Sequence, residues 1–470
     1  MKKLFFLPPA VYSTKLFLRS WAFFSCRFPA RKSLSDKIAA ACILIFLPLV
    51  SSAFVYPTFD QTLPNGLKVI VCEKPGNGFA EFEVWYRVGS KDESPGIRGM
   101  AHMFEHMMFR GTKNFSGVQM LEKLDSVGAN WNAYTTYDRT VYHEYLPTGA
   151  IEMAMMLEAD RMVNLKVTQD ILNTEREVVG EEYRNGISNW YQKMVQDRYA
   201  FLYPANHPYE VDVIGNLDEI TAFTAPQCMA FYDKYYSPNN AFVVIVGDVK
   251  HEEIFALATK YFGAVKKQLP VVGLRDTPDL MTSHVRATDM DLNFPLQDYC
   301  YSFPQPPVAD KDFFAFDLLM SIFFTDGNSI LNERLVKKEH SAFAIVQANE
   351  TWGLFPSRTQ FDVFMAPQPG NIKVKKAIRE EMDNVIANGL PQEKIDDYIA
   401  NFEADEIMGA YSSEGLAAQL GNSEYYFHDY HRAETMVDNY KAITQEDIKR
   451  VAAIYFSVDH IDMINIKPAN

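Results

Sequence analysis

The sequence predicts an α+β fold built from two copies of one structural unit. After residue 54, short runs of alternating polar and apolar residues are interleaved with segments of helical periodicity, as in proteins that mix strands and helices. Residues 223–246 align without gaps onto residues 443–466 at an offset of 220. Residues 167–172 likewise match residues 390–395 at an offset of 223. Similar spacing over two separate segments indicates a duplicated unit.

The duplication and the breaks in composition divide the chain into four segments. We assign residues 1–53 to an export signal, 54–265 to an N-terminal domain, 266–283 to a linker and 284–470 to a homologous C-terminal domain. The stretch 266–283 has no clear hydrophobic period and is interrupted by Pro270 and Pro278, which is typical of a connection between domains.

Turn residues and hydrophobic periodicity predict the elements of the N-terminal copy in order. The turn at 63–66 precedes a strand, and Ser116 and Thr224 are placed to cap helices. Strands are predicted at 67–72, 81–88, 130–137, 140–146 and 241–247, and helices at 99–111, 116–128, 149–163, 167–184, 224–235 and 251–262.

The leader contains an apolar run of 13 residues, Ile38–Val50, preceded by basic residues and followed by Ser51, Ser52 and Ala53. This arrangement is typical of a secretory signal that is cleaved before Phe54. The run is too short to span a bilayer comfortably. We therefore predict export, to a periplasm in a bacterium. The alternatives are an uncleaved membrane anchor and a mitochondrial presequence, which the basic composition also resembles.

The overall composition excludes several classes of protein. With 48% hydrophobic and 22% charged residues, the chain has the composition of a soluble globular protein. Its net charge is −15, and because the leader is basic the remainder is more acidic still. This charge argues against nucleic acid as a partner, and it suits either the binding of basic peptides or a role in solubility. The five cysteines are scattered and odd in number, so they form neither a disulfide framework nor a cysteine zinc site.

The strongest chemical signal is an H-x-x-E-H motif made by His102, Glu105 and His106. On a helix, positions i and i+4 lie one turn apart on the same face, so the two imidazoles can approach one metal ion. Apolar residues surround the motif, and buried imidazoles among them each need a polar partner. A single such histidine is usually satisfied by a hydrogen bond, but the pair with its glutamate favours a metal site.

A third metal ligand has to come from another element, and the acidic helix at 167–184 is the candidate source. Glu175 and Glu182 lie seven residues apart, two helical turns, and therefore share a face. Glu182 can supply the ligand and Glu175 can brace an imidazole. Spacing alone does not choose between Glu182 and Glu181. In the second copy the motif helix is replaced by Phe316–Phe324, which lacks His and Glu, so only the first copy can hold a metal.

These residues resemble those of the pitrilysin/insulysin-type inverzincin zinc metallopeptidases, nearest to the two-domain processing-peptidase-like bacterial members. The resemblance covers the chain from about residue 57 to its end. It is strongest at 102–112, which reads HMFEHMMFRGT, at 132–135, which reads NAYT, and at 175–182, which reads EREVVGEE. In this family the third ligand lies about 76 residues beyond the second histidine of the motif, and here that position is Glu182.

The resemblance implies one Zn²⁺ per chain, held by His102, His106 and Glu182, with Glu105 as general base and Glu175 supporting the site. It also implies two α+β domains, each a mostly antiparallel sheet with helices on one side, which together form half of a clamshell. An extended peptide substrate would pair with the strand that contains Asn132, Ala133, Tyr134 and Thr135. The resemblance therefore predicts a zinc metalloendopeptidase.

The same resemblance implies a partner, because a chain of this length supplies half of the chamber. The partner would be a second copy, giving a homodimer, or a homologous and inactive subunit. The alternative function is a non-catalytic peptide-binding or assembly subunit of the same fold, although such relatives typically lose motif residues that this chain retains. Members or their partners also offer an Arg and a Tyr to the substrate. Arg358 is one candidate for the arginine, the tyrosine has no assigned position, and the alternative is that the partner chain provides both residues.

Overall fold

The computed structural model describes most of the chain after the leader. The described residues are 56–188, 193, 194, 196, 198, 201–269, 271, 277, 280, 281, 287–292, 297–348, 352–366, 371–457 and 461–468. The predicted export signal, residues 1–53, and much of the predicted linker, residues 266–283, lie outside them. In the part of the chain that is described, no helix is both long and apolar enough to cross a membrane.

The N-terminal half contains a mixed set of strands and helices close to those predicted. Its strands are β1 (Thr58–Thr62), β2 (Lys68–Glu73), β3 (Phe79–Tyr86), β4 (Asn130–Thr135), β5 (Thr140–Pro147) and β6 (Ala241–Gly247). Its helices are α1 (Met100–Met107), α2 (Gly117–Ser126), α3 (Ile151–Asn164), α4 (Gln169–Ser188), α5 (Leu217–Ala222), α6 (Ala225–Tyr235) and α7 (His251–Phe262). The motif helix α1 ends at Met107, earlier than the predicted stop at Gly111, because the chain turns tightly through residues 108–110.

The C-terminal half repeats this order of elements. Its strands are β7 (Ala287–Leu292), β8 (Asp298–Gln305), β9 (Ala342–Gln347), β10 (Ser357–Met365) and β11 (Asp462–Pro468). Its helices are α8 (Phe313–Met320), α9 (Asn371–Asn388), α10 (Gln392–Tyr411), α11 (Ser413–Phe427), α12 (Met436–Lys441) and α13 (Gln445–Tyr455), and π-helical turns cover Ser321–Thr325 and Asn332–Lys338.

Each half contains one mostly antiparallel sheet, and the five described strands of the second sheet follow the order of β2 to β6 in the first, in which β1 is an additional edge strand. The strand order is β1-β2-β6-β3-β5-β4 in the first sheet and β7-β11-β8-β10-β9 in the second. One parallel pair occurs in each, β2 with β6 and β7 with β11, and every other neighbouring pair is antiparallel. The duplicated α+β fold predicted from the internal repeat is therefore confirmed.

The local chemistry of the repeat is also the same in both halves. Thr224 caps α6 and Thr444 caps α13, and in each case the side-chain oxygen accepts a hydrogen bond from the backbone N–H three residues later. Each of these helices leads to the strand inserted in the middle of its sheet, β6 or β11. Two separate hydrophobic cores form where the helices of each half cover one face of its sheet.

The opposite face of each sheet is covered by a segment from the other half. Helix α11 packs on the first sheet so closely that a Cβ atom added at Gly421 would lie 2.2 Å from the ring of Trp85. In the reverse direction, Arg198 inserts against the second sheet, where its guanidinium is fully buried and paired with the carboxylate of Asp362. The halves are therefore joined reciprocally, because each supplies a segment that packs on the sheet of the other.

Candidate metal centre

Helix α1 is held in place by its N-terminus and by its apolar face. Gly99 precedes the helix with a φ of +93°, a conformation that favours glycine, and the side chain of Glu93 accepts hydrogen bonds from the N–H groups of Gly99 and Ala101 at 2.7 and 2.8 Å. Met103 and Phe104 are fully buried in the core of the first half. These contacts fix the rotation of α1 about its axis, and they thereby set the direction in which His102 and His106 point.

His102, His106 and Glu182 converge on one point between α1 and α4. The Oε2 atom of Glu182 lies 3.4 Å from Nε2 of His106 and 3.8 Å from Nε2 of His102. One ligand atom from each residue lies within 4.8 Å of the others. Both histidines are buried, and Glu182 is partly buried. The structure thus brings together the three residues that the motif and the family resemblance had selected.

The donor set fits a zinc ion. Two imidazole nitrogens and one carboxylate oxygen are typical ligands of a catalytic zinc site, which leaves a further position open. Two ligands at about 2.0–2.1 Å from a tetrahedral ion are about 3.3 Å apart, close to the 3.4 Å between Glu182 and His106. The Oε2 atom of Glu182 and the Nδ1 atom of His102 are buried without a well-formed hydrogen bond to protein. Polar atoms in that state need a partner, and a cation supplies one for the carboxylate.

Glu181, the alternative ligand, points away from the histidines. Its side chain is 66% exposed and forms an ion pair with Arg184, with 2.5 Å between the Nη2 and Oε1 atoms. Neighbouring residues on a helix point about 100° apart, so only one of the two glutamates can face α1. The geometry therefore selects Glu182 from the pair that spacing alone had left open.

The pKa values of the residues in the candidate metal centre depend on burial and on one another. Burial and the nearby His106 lower the pKa of His102. Burial also lowers the pKa of His106, but the facing carboxylates of Glu175 and Glu182 outweigh it and raise that pKa to about 9. Burial raises the pKa of Glu182, and the two imidazoles outweigh it, so the net pKa lies below its ordinary value. Glu182 is therefore an anion across the neutral range, as a metal ligand has to be.

Glu175 lies behind His106 and is fully buried. Its Oε2 atom is 3.7 Å from Nδ1 of His106, on the side of the ring that faces away from Glu182. Arg110, which follows the motif, holds this carboxylate through two contacts, Nε to Oε1 at 2.5 Å and Nη2 to Oε2 at 3.0 Å. A carboxylate placed behind a metal-binding imidazole fixes the orientation of the ring. The sequence had indicated Glu175 but not Arg110.

Glu105 lies on the same helix, and its side chain is nearly buried. Its Oε2 atom accepts a hydrogen bond of 2.7 Å from Oγ1 of Thr135, the last residue of β4. Strand β4 is an edge strand of the first sheet, and among the described residues only β5 pairs with it. Because side chains alternate along a strand, Ala133 and Thr135 face α1, whereas Asn132 and Tyr134 face the other side of the sheet. Of the four residues predicted to bind substrate, Thr135 thus contacts the candidate base directly.

A loop that the sequence had not indicated also reaches the centre. The backbones of Gly99 and Gly215 touch, since a Cβ atom at Gly215 would lie 2.4 Å from Cα of Gly99. This contact brings Asp212 near His102, and the two groups interact electrostatically. Burial raises the pKa of Asp212, whose carboxylate accepts a hydrogen bond from Gln196 at 3.2 Å. No sequence signal marks Asp212, because its position depends on the glycine contact.

The described residues contain one other group that could hold a metal, made by Glu73, His251 and Glu252. There Glu73 is already paired with Nζ of Lys250 at 2.7 Å and with Nδ1 of His251 at 2.8 Å. These partners lower the pKa of Glu73 to about 2. A carboxylate neutralised by lysine is a poor metal ligand, so this group is better explained as an ion-paired cap of α7.

Arg358 does not face the centre. It is fully buried in the second half, where Nη2 is 2.7 Å from Oδ2 of Asp462 and Nε donates to Oγ of Ser302 at 2.9 Å. The sequence made Arg358 the candidate for an arginine that binds substrate, and this candidate is wrong for the structure described. Its guanidinium is instead used to neutralise a buried aspartate inside the protein.

Comparison with known proteins agrees with this geometry. The sequence profile described as "Insulinase (Peptidase family M16)" matches residues 68–208, and that of the "Peptidase M16 inactive domain" matches residues 222–402. A Helicobacter pylori protein named zinc protease PqqE is 29% identical over 427 residues, covering 87% of this chain and 92% of the relative. A Mycobacterium leprae protein named as an uncharacterized zinc protease is 24% identical over 397 residues, covering 83% and 87% of the two chains.

Solved structures share the fold. A protease from Helicobacter pylori has a TM-score of 0.81 at 26% identity, with 88% of this chain and all of the other covered. The periplasmic protease PqqL from Escherichia coli has a TM-score of 0.72 at 22% identity, and here this chain matches 47% of the larger protein. At that identity the second likeness shows the fold alone. The two profile matches, the zinc protease relatives and the shared fold together place the chain in peptidase family M16, the insulinase or pitrilysin type.

Proposed function

We propose that the protein is a zinc-dependent endopeptidase with one zinc ion per chain, held by His102, His106 and Glu182. The convergence of these three donors between α1 and α4 is the observation that carries the proposal. Relatives named zinc proteases and the family assignment support the same chemistry. The C-terminal half has no comparable group of metal-binding side chains among its described residues, so we assign the metal to the N-terminal half alone.

The reaction we propose is hydrolysis of a peptide bond. Zinc, when bound, acts as a Lewis acid that polarises the scissile carbonyl and makes water more acidic. Glu105 takes a proton from the attacking water as its oxygen adds to the carbonyl carbon, and delivers that proton to the amine nitrogen as the C–N bond breaks. Glu175 and Arg110 keep the ring of His106 in the orientation that binding requires.

We propose that substrate enters as an extended strand along β4, the outermost strand of the first sheet, from Asn132 to Thr135. A peptide that adds to the edge of a sheet is held through main-chain hydrogen bonds whatever its sequence. The edge ends at the residue that contacts Glu105, so a peptide aligned on β4 passes beside the candidate base. This mode of binding suits peptides and unfolded segments rather than folded proteins.

We further propose that the working enzyme is a pair of such chains, either two copies or this chain with a homologous subunit. The chain matches about half of the length of the Escherichia coli protease described above, which supports an assembly of two equivalent units around one chamber. The basic and apolar leader supports export of the protein, to a periplasm in a bacterium, before assembly.

The variant Glu105→Gln tests the function. We expect it to retain one zinc per chain and to lose nearly all hydrolysis of unstructured peptides, because an amide cannot accept the proton from water. The measurement combines metal analysis with peptide cleavage by the purified protein, at each oligomeric state separated by gel filtration. Glu181→Gln is the matched control on α4, and it should leave both quantities unchanged.

Equal cleavage by Glu105→Gln and the parent protein would remove Glu105 from the mechanism. A parent protein that binds zinc but cleaves no peptide, alone or mixed with a homologous subunit, would instead support the alternative of a non-catalytic peptide-binding or assembly subunit.

A further inference from the structure

One buried hydrogen bond connects the candidate base to the strand proposed to bind substrate. The hydroxyl of Thr135 donates to Oε2 of Glu105 at 2.7 Å, and both side chains are at least nine-tenths buried. Among the described residues, Thr135 is the side chain that donates a hydrogen bond to this carboxylate. A hydrogen bond to a buried carboxyl group is costly to break, so this bond restricts the rotation of the Glu105 side chain.

Thr135 is itself held in place by the structure around the β4–β5 turn. It lies opposite Thr140 in the strand register. The carbonyl oxygen of Asp138, in the turn, accepts hydrogen bonds from Nζ of Lys91 at 2.8 Å and from the hydroxyl of Tyr425 at 2.5 Å. Tyr425 belongs to α11, so the C-terminal half takes part in fixing this turn. The hydroxyl of Thr135 is therefore presented from a rigid element.

A second bond joins the same hairpin to α1 beside Glu105. The hydroxyl of Tyr142, on β5, donates to the backbone carbonyl of Phe104 at 3.2 Å. The hairpin thus contacts the motif helix at two neighbouring residues, through the backbone of Phe104 and the side chain of Glu105. The backbone bond fixes where the helix lies, and the Thr135 bond fixes where the carboxylate points.

We propose that Thr135 is a positioning residue for Glu105, which aligns the proton-accepting carboxylate with a peptide paired on β4. The proposal rests on the proposed peptidase function. Strand β4 then has two roles, because it pairs with the substrate and its last residue, Thr135, orients the base. Thr135 does not need to touch the substrate through its side chain.

The variant Thr135→Val tests the proposal, since valine keeps the shape and strand preference of threonine but cannot donate a hydrogen bond. We expect kcat to fall by about tenfold or more, but by less than the 10²–10⁴-fold that a general base contributes, while KM stays within about twofold. Zinc content and the thermal unfolding midpoint should be those of the parent. Thr135→Ser, which restores the hydroxyl, should recover most of the lost kcat.

Two comparisons separate positioning from a general structural effect. Thr140→Val removes a buried threonine hydroxyl from the same hairpin, one that donates to the carbonyl of Val88 at 2.9 Å, and it should leave kcat unchanged. The double variant Thr135→Val, Glu105→Gln should be no slower than Glu105→Gln alone, because Thr135 acts through Glu105.

The proposal is overturned if Thr135→Val keeps the kcat of the parent, if the losses in the double variant multiply, or if Thr140→Val is equally slow. If Thr135→Val does not fold, Thr135→Ser is the test. A loss of kcat in the folded Thr135→Ser variant, which retains the hydroxyl, would also overturn the proposal. In all these outcomes an active parent and an inactive Glu105→Gln would leave the proposed peptidase function intact.

Discussion

The two halves of the chain share one topology but differ in what lies between corresponding helices. Between α1 and α4 the first half places His102, His106 and Glu182, which converge on the candidate metal position, with Glu175 behind His106. In the second half, Asp317 on α8 accepts hydrogen bonds from the hydroxyls of Tyr398 and Tyr440 at 3.2 and 2.7 Å. Tyr398 is the counterpart of Glu175, because the repeat offset of 223 relates the two positions.

This difference shows that the scaffold and the metal site can be separated. The second half keeps the sheet order, the capped helix and the apolar core, but it satisfies its buried acid with two tyrosines from its own helices. A hydrogen-bonded cluster of that kind is complete without an ion. In the first half, Oε2 of Glu182 is buried without a well-formed hydrogen bond, and there an ion would complete the cluster.

The contacts exchanged between the halves provide the strongest way to test how far they depend on each other. Arg198→Met leaves the carboxylate of Asp362 buried without its guanidinium partner, so the free energy of unfolding should fall by about 3–5 kcal/mol. Urea unfolding followed by tryptophan fluorescence measures it. Arg184→Met breaks an exposed ion pair and should cost less than about 1 kcal/mol. Equal losses in the two variants would mean that the buried pair contributes no more than a surface pair.

Replacing the equivalent residues Glu175 and Tyr398 tests the difference between the helices directly. Glu175→Gln weakens the support behind His106, so zinc should bind about 10–100-fold more weakly, measured by competition with a chelator. Tyr398→Phe removes a hydrogen bond to Asp317 and should cost on the order of 1 kcal/mol of stability without changing zinc affinity. If both variants changed the zinc affinity to the same extent, the proposed difference between the two halves would be wrong.

A pH-dependent effect is expected from the buried glutamates on one face of the first sheet. Burial and the neighbouring Glu81 raise the pKa of Glu83 from 4.5 to about 8. The folded protein therefore keeps a proton on Glu83 that the unfolded chain releases above about pH 4.5, so stability is lost as the pH rises from about 4.5 to 8. Glu83→Gln removes this loss, and its Tm should match the parent near pH 4 and exceed it at pH 8.

The pKa difference between 4.5 and about 8 corresponds to a loss on the order of 4 kcal/mol at pH 8, which is the upper bound for the stabilisation by Glu83→Gln. The second sheet provides the contrast, because there the buried Asp362 forms an ion pair with Arg198. Asp362→Asn should accordingly destabilise at pH 8, where Glu83→Gln stabilises. Parallel Tm–pH curves for the parent and Glu83→Gln would show that Glu83 titrates normally.

The sequence predicted the residues whose partners are set by local spacing. His102 and His106 share a face because they are one turn apart on a helix, and the repeat of strands and helices follows from hydrophobic periodicity. Glu182 needed the family resemblance, since the choice between it and Glu181 depends on how α4 is rotated against α1. The structure directs Glu182 to the histidines and Glu181 to solvent.

The residues that the sequence could not indicate depend on packing between distant segments. Thr135 was selected as a substrate contact, and its hydrogen bond to Glu105 arises only because an edge strand ends beside the motif helix. Asp212 approaches His102 through a backbone contact between two glycines. Arg198 looks like an ordinary surface residue in sequence, and its burial follows from the exchange of segments between halves. Contacts between distant segments leave no periodic pattern in the sequence from which they could be predicted.

The reciprocal contacts also restrict how the molecule can move. Moving the halves apart would separate α11 from the ring of Trp85 and expose the ion pair of Arg198 to water, at a cost of several kcal/mol. Separation of the halves within one chain is therefore an unfavourable way to admit a long polypeptide. For the peptidase proposed above, we expect substrate to enter at the outer boundary of the chain, so that the rate of entry depends on how the chain is assembled rather than on its internal flexibility.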